Sequence, residues 1–479
     1  MPIALPEGPL TARWAGPSLS AAVLFDLAQA GLAVSTDPDA CFEHGRDWWP
    51  LTIGWIAHGT VPALAGAVVR PRNVEEVAAA LQVAHRHRVP VTPQGGRSGV
   101  VGGAVPNTGA IALDLTALNR VLDVDEVSGT VRVEAGCFGP DLEVQLAERG
   151  LTVGHFPQSF DLATVGGWLA CRGAGQYSNR YGKIEDIVRG LTVVLADGRV
   201  IETGGRAPRQ AVGPDLTQLF VGAEGTLGVI VAATLVARRR ADFEMRAAYS
   251  FDSIPEGLEA CRRILQRGAR PAVLRLYDAV ESQRSFAVER CVLVVLDEGD
   301  EALVRASMGV VAAECAGSVG EDAELVARWL EHRNNVGQLA PLWERGIVVD
   351  TIEVAGAWAA LATIHERVTE ALRALPETVI ASVHQSHAYD DGACLYFTFV
   401  GRPEDGPDRY YRAAWDAATT AVLASGGALS HHHGVGRNRA RFVREALGSS
   451  FEVLEAIKGT LDPHAVMNPG VLGLGGPSW

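Results

Sequence analysis

No run of about 18 apolar residues, the length that spans a bilayer, occurs in the 479-residue chain. The N-terminus Met1-Pro-Ile-Ala-Leu-Pro-Glu-Gly lacks a charged stretch followed by an apolar one, and the end, Gly476-Pro-Ser-Trp479, is not a Ser-Lys-Leu address, so a cytoplasmic protein without a transmembrane segment is expected. Positive charge is also in deficit: 42 Lys and Arg against 56 Asp and Glu leave a net charge of −14, which opposes binding to a polyanion and predicts no nucleic-acid partner. The seven cysteines (41, 137, 171, 261, 291, 315 and 394) contain no Cys-x-x-Cys pair, which excludes a structural zinc module and suits reduced, buried thiols. Neither Gly-x-Gly-x-x-Gly nor Gly-x-x-x-x-Gly-Lys-Ser/Thr is present, which excludes a Rossmann dinucleotide site and a Walker site. Repeats of solenoid period and low-complexity tracts are absent too.

What is there, 48% hydrophobic residues over this length, is enough for two or three cores. Residues 1–61 read as an irregular helical lead-in carrying Trp48, Trp49 and Trp55. Residues 62–240 begin with a β-α-β unit: a strand at Ala65–Val69, a helix capped at Asn73-Val-Glu-Glu76, a strand at Val89–Thr92. Strands near Arg120–Asp125 and Thr130–Glu134, a helix from Pro140 to Gly150, and a hairpin turning at Asp197-Gly198 follow. Residues 241–425 mix strands with helices in an order that predicts an antiparallel sheet covered on one face. Residues 426–479 form a C-terminal segment, with a helix predicted over Ala440–Lys458.

Two glycine-dense segments stand at strand ends, Pro93-Gln-Gly-Gly-Arg-Ser-Gly99 and the stretch containing Gln158, Ser159, Thr164, Gly166 and Gly167. Glycine brings backbone N–H groups close to an anion, and the hydroxyls add donors, so a diphosphate suits the pair. A third signal is Ser430-His-His-His-Gly434-Val435-Gly436. In extended backbone side chains alternate, which places His431 and His433 on one face and His432 on the other. Imidazole exchanges protons near neutrality, the phenol of Tyr396 is a neutral donor there, and Arg275 offers a planar fork for phosphate or carboxylate.

Four segments, PQGGRSG (93–99), QSFDLAT with VGGW (158–168), CRGAGQYSNRYGKIEDIV (171–188) and EGTLGVI (224–230), resemble the flavin-binding domain of the vanillyl-alcohol oxidase and p-cresol methylhydroxylase superfamily. The resemblance implies an α+β fold with a two-subdomain FAD-binding domain of that type and an α+β substrate (cap) domain. It implies that Pro93, Gln94, Gly95, Gly96, Arg97, Ser98 and Gly99 wrap the FAD pyrophosphate. Gln158, Ser159, Thr164, Gly166, Gly167, Cys171, Arg172, Gly173 and Ala174 would lie against ribityl and ring, and Glu224, Gly225, Gly228, Val229 and Ile230 on the adenine side. Where some relatives attach FAD through a histidine this chain has Arg97, so the implied FAD is non-covalent.

In the second half, ACLYF (393–397), SHHHGVG (430–436) and LRLYD (274–278) resemble alkylglycerone-phosphate synthase. That resemblance implies exchange of an acyl group for a fatty alcohol through a flavin N5 adduct, without net oxidation. Tyr396 would be an acid/base, His431, His432 and His433 would line the flavin and shuttle protons, and Arg275 would hold a small, anionic or lipid-like substrate. A homodimer is compatible with the chain. The architecture also resembles FAD-dependent D-lactate and D-2-hydroxyglutarate dehydrogenases, whose His-x-Gly-Asp-Gly-Asn-x-His and Glu-His-Gly-x-Gly segments supply metal ligands. Here the first is broken into His387-Ala-Tyr-Asp-Asp-Gly-Ala-Cys-Leu-Tyr396 and His432 stands at the glutamate, so no metal is expected, although two histidines could still bind zinc.

Overall fold

The β-α-β unit forms from Ala67–Val69, Val74–His87 and Val91–Gln94, with Asn73 accepting from the Glu76 amide at 2.8 Å to start the helix. The structure is a computed structural model describing residues 10–476 apart from 15, 17, 206, 335–339 and 405; the terminal residues that carry the targeting expectations lie outside the described residues. Strand Ile111–Asp114 enters parallel between Ala67–Val69 and Val91–Gln94, and Val34–Ser35 completes a four-stranded sheet. A five-stranded antiparallel sheet, in the order Val200–Gly204, Val188–Val194, Val229–Val236, Thr130–Glu134, Val121–Asp125, packs beside it. Each of these two sheets carries its own apolar cluster.

The second region is a seven-stranded, wholly antiparallel sheet ordered Val319–Glu321, Phe243–Phe251, Cys291–Gly299, Val273–Tyr277, Thr378–Ala388, Gly392–Gly401, Val348–Ala357. Its residues alternate with period two. Leu274, Leu276, Val383, Leu395, Phe397 and Ile352 join the large apolar cluster with helices Ile254–Gln266, Glu301–Glu314, Trp358–Arg373 and Pro407–Ala424. The other parity carries Arg275, Tyr277, His384, Cys394, Tyr396 and Glu353, so chemistry is concentrated on one face of one sheet. Register lines up Tyr277 with His384, His384 with Tyr396, and Tyr396 with Glu353, a row across four strands. A bulge between Gln385 and His387 brings His387 opposite Cys394.

Strand Thr378–Ala388 has no counterpart in the sequence expectations, because its polar run His384-Gln-Ser-His387 reads as loop. The predicted helix Ala440–Lys458 is instead a 3₁₀ turn at Ala440–Phe442 and helices Val443–Leu447 and Ser450–Leu461, parted at Gly448, whose φ of +53° a helix cannot continue through. Beyond them the chain returns to the first glycine loop: Val91 N donates to Val466 O, and the Asn468 amide donates to Gly103 O (3.0 Å) and Glu224 O (2.8 Å). Among the described residues no helix is long and apolar enough to cross a membrane.

Candidate active site

The two glycine loops are laid against each other. A Cβ on Gly95 would stand 2.2 Å from Thr164 Oγ1, and one on Gly96 1.8 Å from the Leu162 carbonyl oxygen, so only glycine permits the approach. Their backbones become the wall of a cavity of about 370 Å³, within the range of small-molecule sites. All the residues assigned above to the cofactor line it except Arg172. Arg172 takes a left-handed φ of +58°, and its side chain is 56% exposed in an ion pair with Glu185. The turn aims its side chain outward, apart from the other expected cofactor residues.

The cavity fits FAD on its own terms. Its wall joins the glycine-rich loops to apolar side chains such as Leu115, Trp168, Phe220 and Ile230, which suits a flavin ring and its diphosphate, and Arg97, one of its lining residues, has a buried Nε without a partner, a donor awaiting an acceptor. The rest of the Arg97 guanidinium pairs with Glu43 (3.2 Å) and donates to His44 Nε2 (3.2 Å), the ring's Nδ1 being the donor to Gln94 Oε1 (2.6 Å). No histidine stands at position 97 to make a covalent link.

The same cavity is bordered by Thr351, Tyr396, His432 and His433. Thr351 Oγ1 donates to the Tyr396 hydroxyl at 3.0 Å, which leaves the phenolic proton free to point elsewhere. Burial raises the Tyr396 pKa, overriding the lowering by Thr351, so this side chain is a neutral donor across the working range of pH.

The histidine segment departs from the expected alternation. His432 and His433 both reach the cavity, whereas His431 turns aside, with Nε2 on the Tyr389 hydroxyl (2.9 Å) and Nδ1 on His432 Nδ1 (2.8 Å). The cause is Glu353. One carboxylate oxygen, Oε1, accepts from Ser430 Oγ (2.7 Å), His432 N (3.1 Å) and His433 N (2.6 Å), which curls the backbone around it. From the other side Glu224 accepts from Val435 N (2.6 Å) and Gly436 N (2.8 Å). Burial alone would raise Glu353, but Arg439, whose Nη2 lies 2.7 Å from Oε2, together with His433 and Ser430, holds it at about 2. Glu224 is held by these backbone donors and by Arg439 at longer range, and burial, with the charge of Asp47, pushes it up to about 7. Burial also lowers all three histidines, His431 and His433 to about 4, so at neutral pH the imidazoles are neutral and able to accept a proton.

Arg275 is not brought to this cavity. Strand register sets it one ring behind the wall, donating to His384 Nε2 at 2.8 Å and to the Tyr277 hydroxyl at 3.1 Å, with the His384 ring stacked 4.8 Å from Tyr396. The bulge at Gln385/His387 has a second effect: His387, Cys394, His431 and His432 place one ligand atom each within 4.8 Å of one another, and His387 Nε2 is buried and unpartnered. Cys394 beside these rings is not among the residues expected from the sequence. Nor is Glu353, although an acid inside the apolar strand Val348-Val-Asp-Thr-Ile-Glu-Val354 is a signal for it.

Residues 65–204 match the FAD binding domain family and residues 242–472 the family of FAD linked oxidases, C-terminal domain. An uncharacterised FAD-linked oxidoreductase of Escherichia coli (strain K12) is 30% identical over 441 residues, covering 87% of this chain and 90% of that protein. The alkyldihydroxyacetonephosphate synthase of Dictyostelium discoideum is 29% identical, over 86% of this chain and 74% of its own. A glycolate oxidase subunit of Bacillus subtilis (strain 168) is 26% identical, over 88% and 91%. In fold the chain matches a solved alkyldihydroxyacetonephosphate synthase with a TM-score of 0.79 at 24% identity, covering 98% of this chain and 90% of that one. p-Cresol methylhydroxylase gives 0.75 at 15% identity, covering 95% and 96%. With its loops forming an FAD cradle and both domains matched in order, the chain belongs to the FAD-linked oxidase family and uses FAD.

Proposed function

We propose that the protein exchanges an acyl group for an alcohol on a small, oxygen-bearing, anionic substrate in the manner of an alkylglycerone-phosphate synthase. One observation carries the reading: a fixed neutral donor, Tyr396, and two neutral acceptors, His432 and His433, border the cavity that the FAD loops form. When bound, FAD supplies the electrophilic ring. The chain does the proton work. Tyr396 donates to the substrate oxygen as negative charge develops on it, and an imidazole of the pair takes the proton released at the reacting carbon or from the incoming alcohol. The acyl group leaves as carboxylate and the alcohol adds, so the electron count is unchanged. The chain's part is to exclude water and hold both proton carriers in place.

A second reading, oxidation of a D-2-hydroxy acid, is favoured by the cluster His387, Cys394, His431 and His432, a donor set suited to zinc. Anaerobic addition of D-lactate or glycolate separates the two. Under the first reading the flavin stays oxidised, while acyl-dihydroxyacetone phosphate with a fatty alcohol releases carboxylate. Rapid bleaching by the hydroxy acid, with about one zinc per chain by elemental analysis, would reverse the order.

A further inference from the structure

Arg275 carries a buried guanidinium, and among the described residues it makes no direct ion pair. Its charge is answered at one remove. Guanidinium can only donate, so the His384 Nε2 that it meets at 2.8 Å is a bare acceptor. The proton of the ring then sits on Nδ1, which meets Glu281 Oε2 at 2.8 Å. An imidazolium would set N–H against N–H at Arg275, so the geometry admits one protonation state and one tautomer. Glu281 is fully enclosed. Its other oxygen accepts from Ser382 Oγ and Thr398 Oγ1, both at 3.0 Å, and Arg284 stands 3.8 Å away.

A neutral ring thus bridges a buried carboxylate and a buried guanidinium, gripped at both in-plane nitrogens. Its faces are occupied as well. Tyr277 stacks on it at 5.1 Å and 28°, Tyr396 at 4.8 Å and 25°, and these three residues are register partners on adjacent strands. Arg275 is itself steadied by the Tyr277 hydroxyl and lies 5.5 Å over the Trp329 ring. Nothing in this arrangement offers the guanidinium to the cavity; everything in it fixes the plane of Tyr396.

We infer that Glu281, His384 and Arg275 form a single clamp that orients Tyr396 toward the substrate, with Arg275 a positioning residue acting through His384. The inference rests on the acid role proposed for Tyr396, but its geometry can be tested apart from that role. A clamp and an anion anchor make opposite demands on Arg275. The clamp needs one N–H on His384 Nε2, which lysine can supply; an anchor needs the planar fork, which lysine lacks.

The test uses the FAD-loaded protein. In whichever probe reaction of the preceding section it performs, Arg275→Met lowers kcat by about 10²-fold with KM little changed, the cost of a misplaced catalytic group. Arg275→Lys restores most of that loss. Inorganic phosphate, titrated as an anion probe against flavin absorbance, binds Arg275→Met and the parent alike. Histidine ¹⁵N NMR, with the His384 signals assigned by their loss in His384→Gln, shows Nδ1 protonated and Nε2 bare. The clamp is overturned if Nε2 carries a proton in the parent, or if Arg275→Met and Arg275→Lys both raise KM or weaken phosphate binding while kcat holds. Should neither probe reaction run, the function reading fails while the ¹⁵N result still decides the clamp. Should Arg275→Met not fold, Arg275→Lys and the parent spectrum decide it.

Discussion

Tyr396→Phe is expected to lower turnover by about 10²- to 10⁴-fold, the usual cost of removing a general acid, while FAD stays bound and the fold is kept. The phenol stands in an antiparallel strand between two partners, and the deletion removes one oxygen without changing the packed ring. Thr351 loses an acceptor, a loss of about 1 kcal/mol that a water can offset. The rate falls for a different reason. With its pKa raised by burial, Tyr396 is a donor bordering the cavity that stays protonated at alkaline pH, and the neighbouring imidazoles, lowered by burial, are poor acids near neutrality. The parent should therefore gain activity as pH rises through about 4, where His433 loses its proton, and hold it well into the alkaline range. Steady-state rates over pH, with flavin content read from its absorbance, check both points. A Tyr396→Phe enzyme within a few-fold of the parent would remove Tyr396 from the chemistry.

The cofactor cradle was legible because its residue types state their own constraint. Gly95 and Gly96 are glycine since any Cβ would strike the opposing loop, and such glycines survive in sequence as a dense cluster. The cap sheet was legible where a strand is a nearly continuous apolar run buried on both faces, as at residues 292–296 and 393–400, or alternates, as at Phe243–Phe251. It failed at Thr378–Ala388, where four consecutive polar residues, His384-Gln-Ser-His387, are buried on both parities, so neither an apolar run nor an alternation marks the strand. His384 was overlooked for that reason. Histidines 431–433 were recognised by type, but their directions depended on a carboxylate about 80 residues away, and local spacing holds no record of a partner that arrives by strand register. Arg275 is a similar case: its residue type suits an anion, but its contacts with Tyr277 and, in the next strand, His384 could not be read from spacing.

Arg439→Ala is expected to destabilise the holoenzyme by about 3–5 kcal/mol near neutral pH, the cost of leaving a buried charge without its partner. Both side chains are fully buried, Arg439 also donates to the Leu429 carbonyl at 2.7 Å, and its guanidinium lies 4.9 Å over Trp415, so no solvent can replace it. The sign of the pH dependence follows from Glu353. In the parent its folded pKa, about 2, lies below the unfolded value near 4.3, so its stabilisation is fully present above about 4.3 and is lost as pH falls toward 2. In Arg439→Ala burial acts on Glu353 with its main counter-charge gone. Its pKa rises, and protonation on acidification then relieves the variant while it weakens the parent. The stability gap should accordingly narrow from about pH 7 to about pH 4, as read by denaturant unfolding. A double replacement, Glu353→Leu with Arg439→Met, should recover much of the stability, since a buried pair exchanged for apolar groups costs little. It should not recover activity, because Ser430, His432 and His433 would lose the oxygen that curls the histidine segment to the cavity. A gap that is constant with pH would mean that Arg439 stabilises through packing alone and that Glu353 is held down by its backbone and hydroxyl donors.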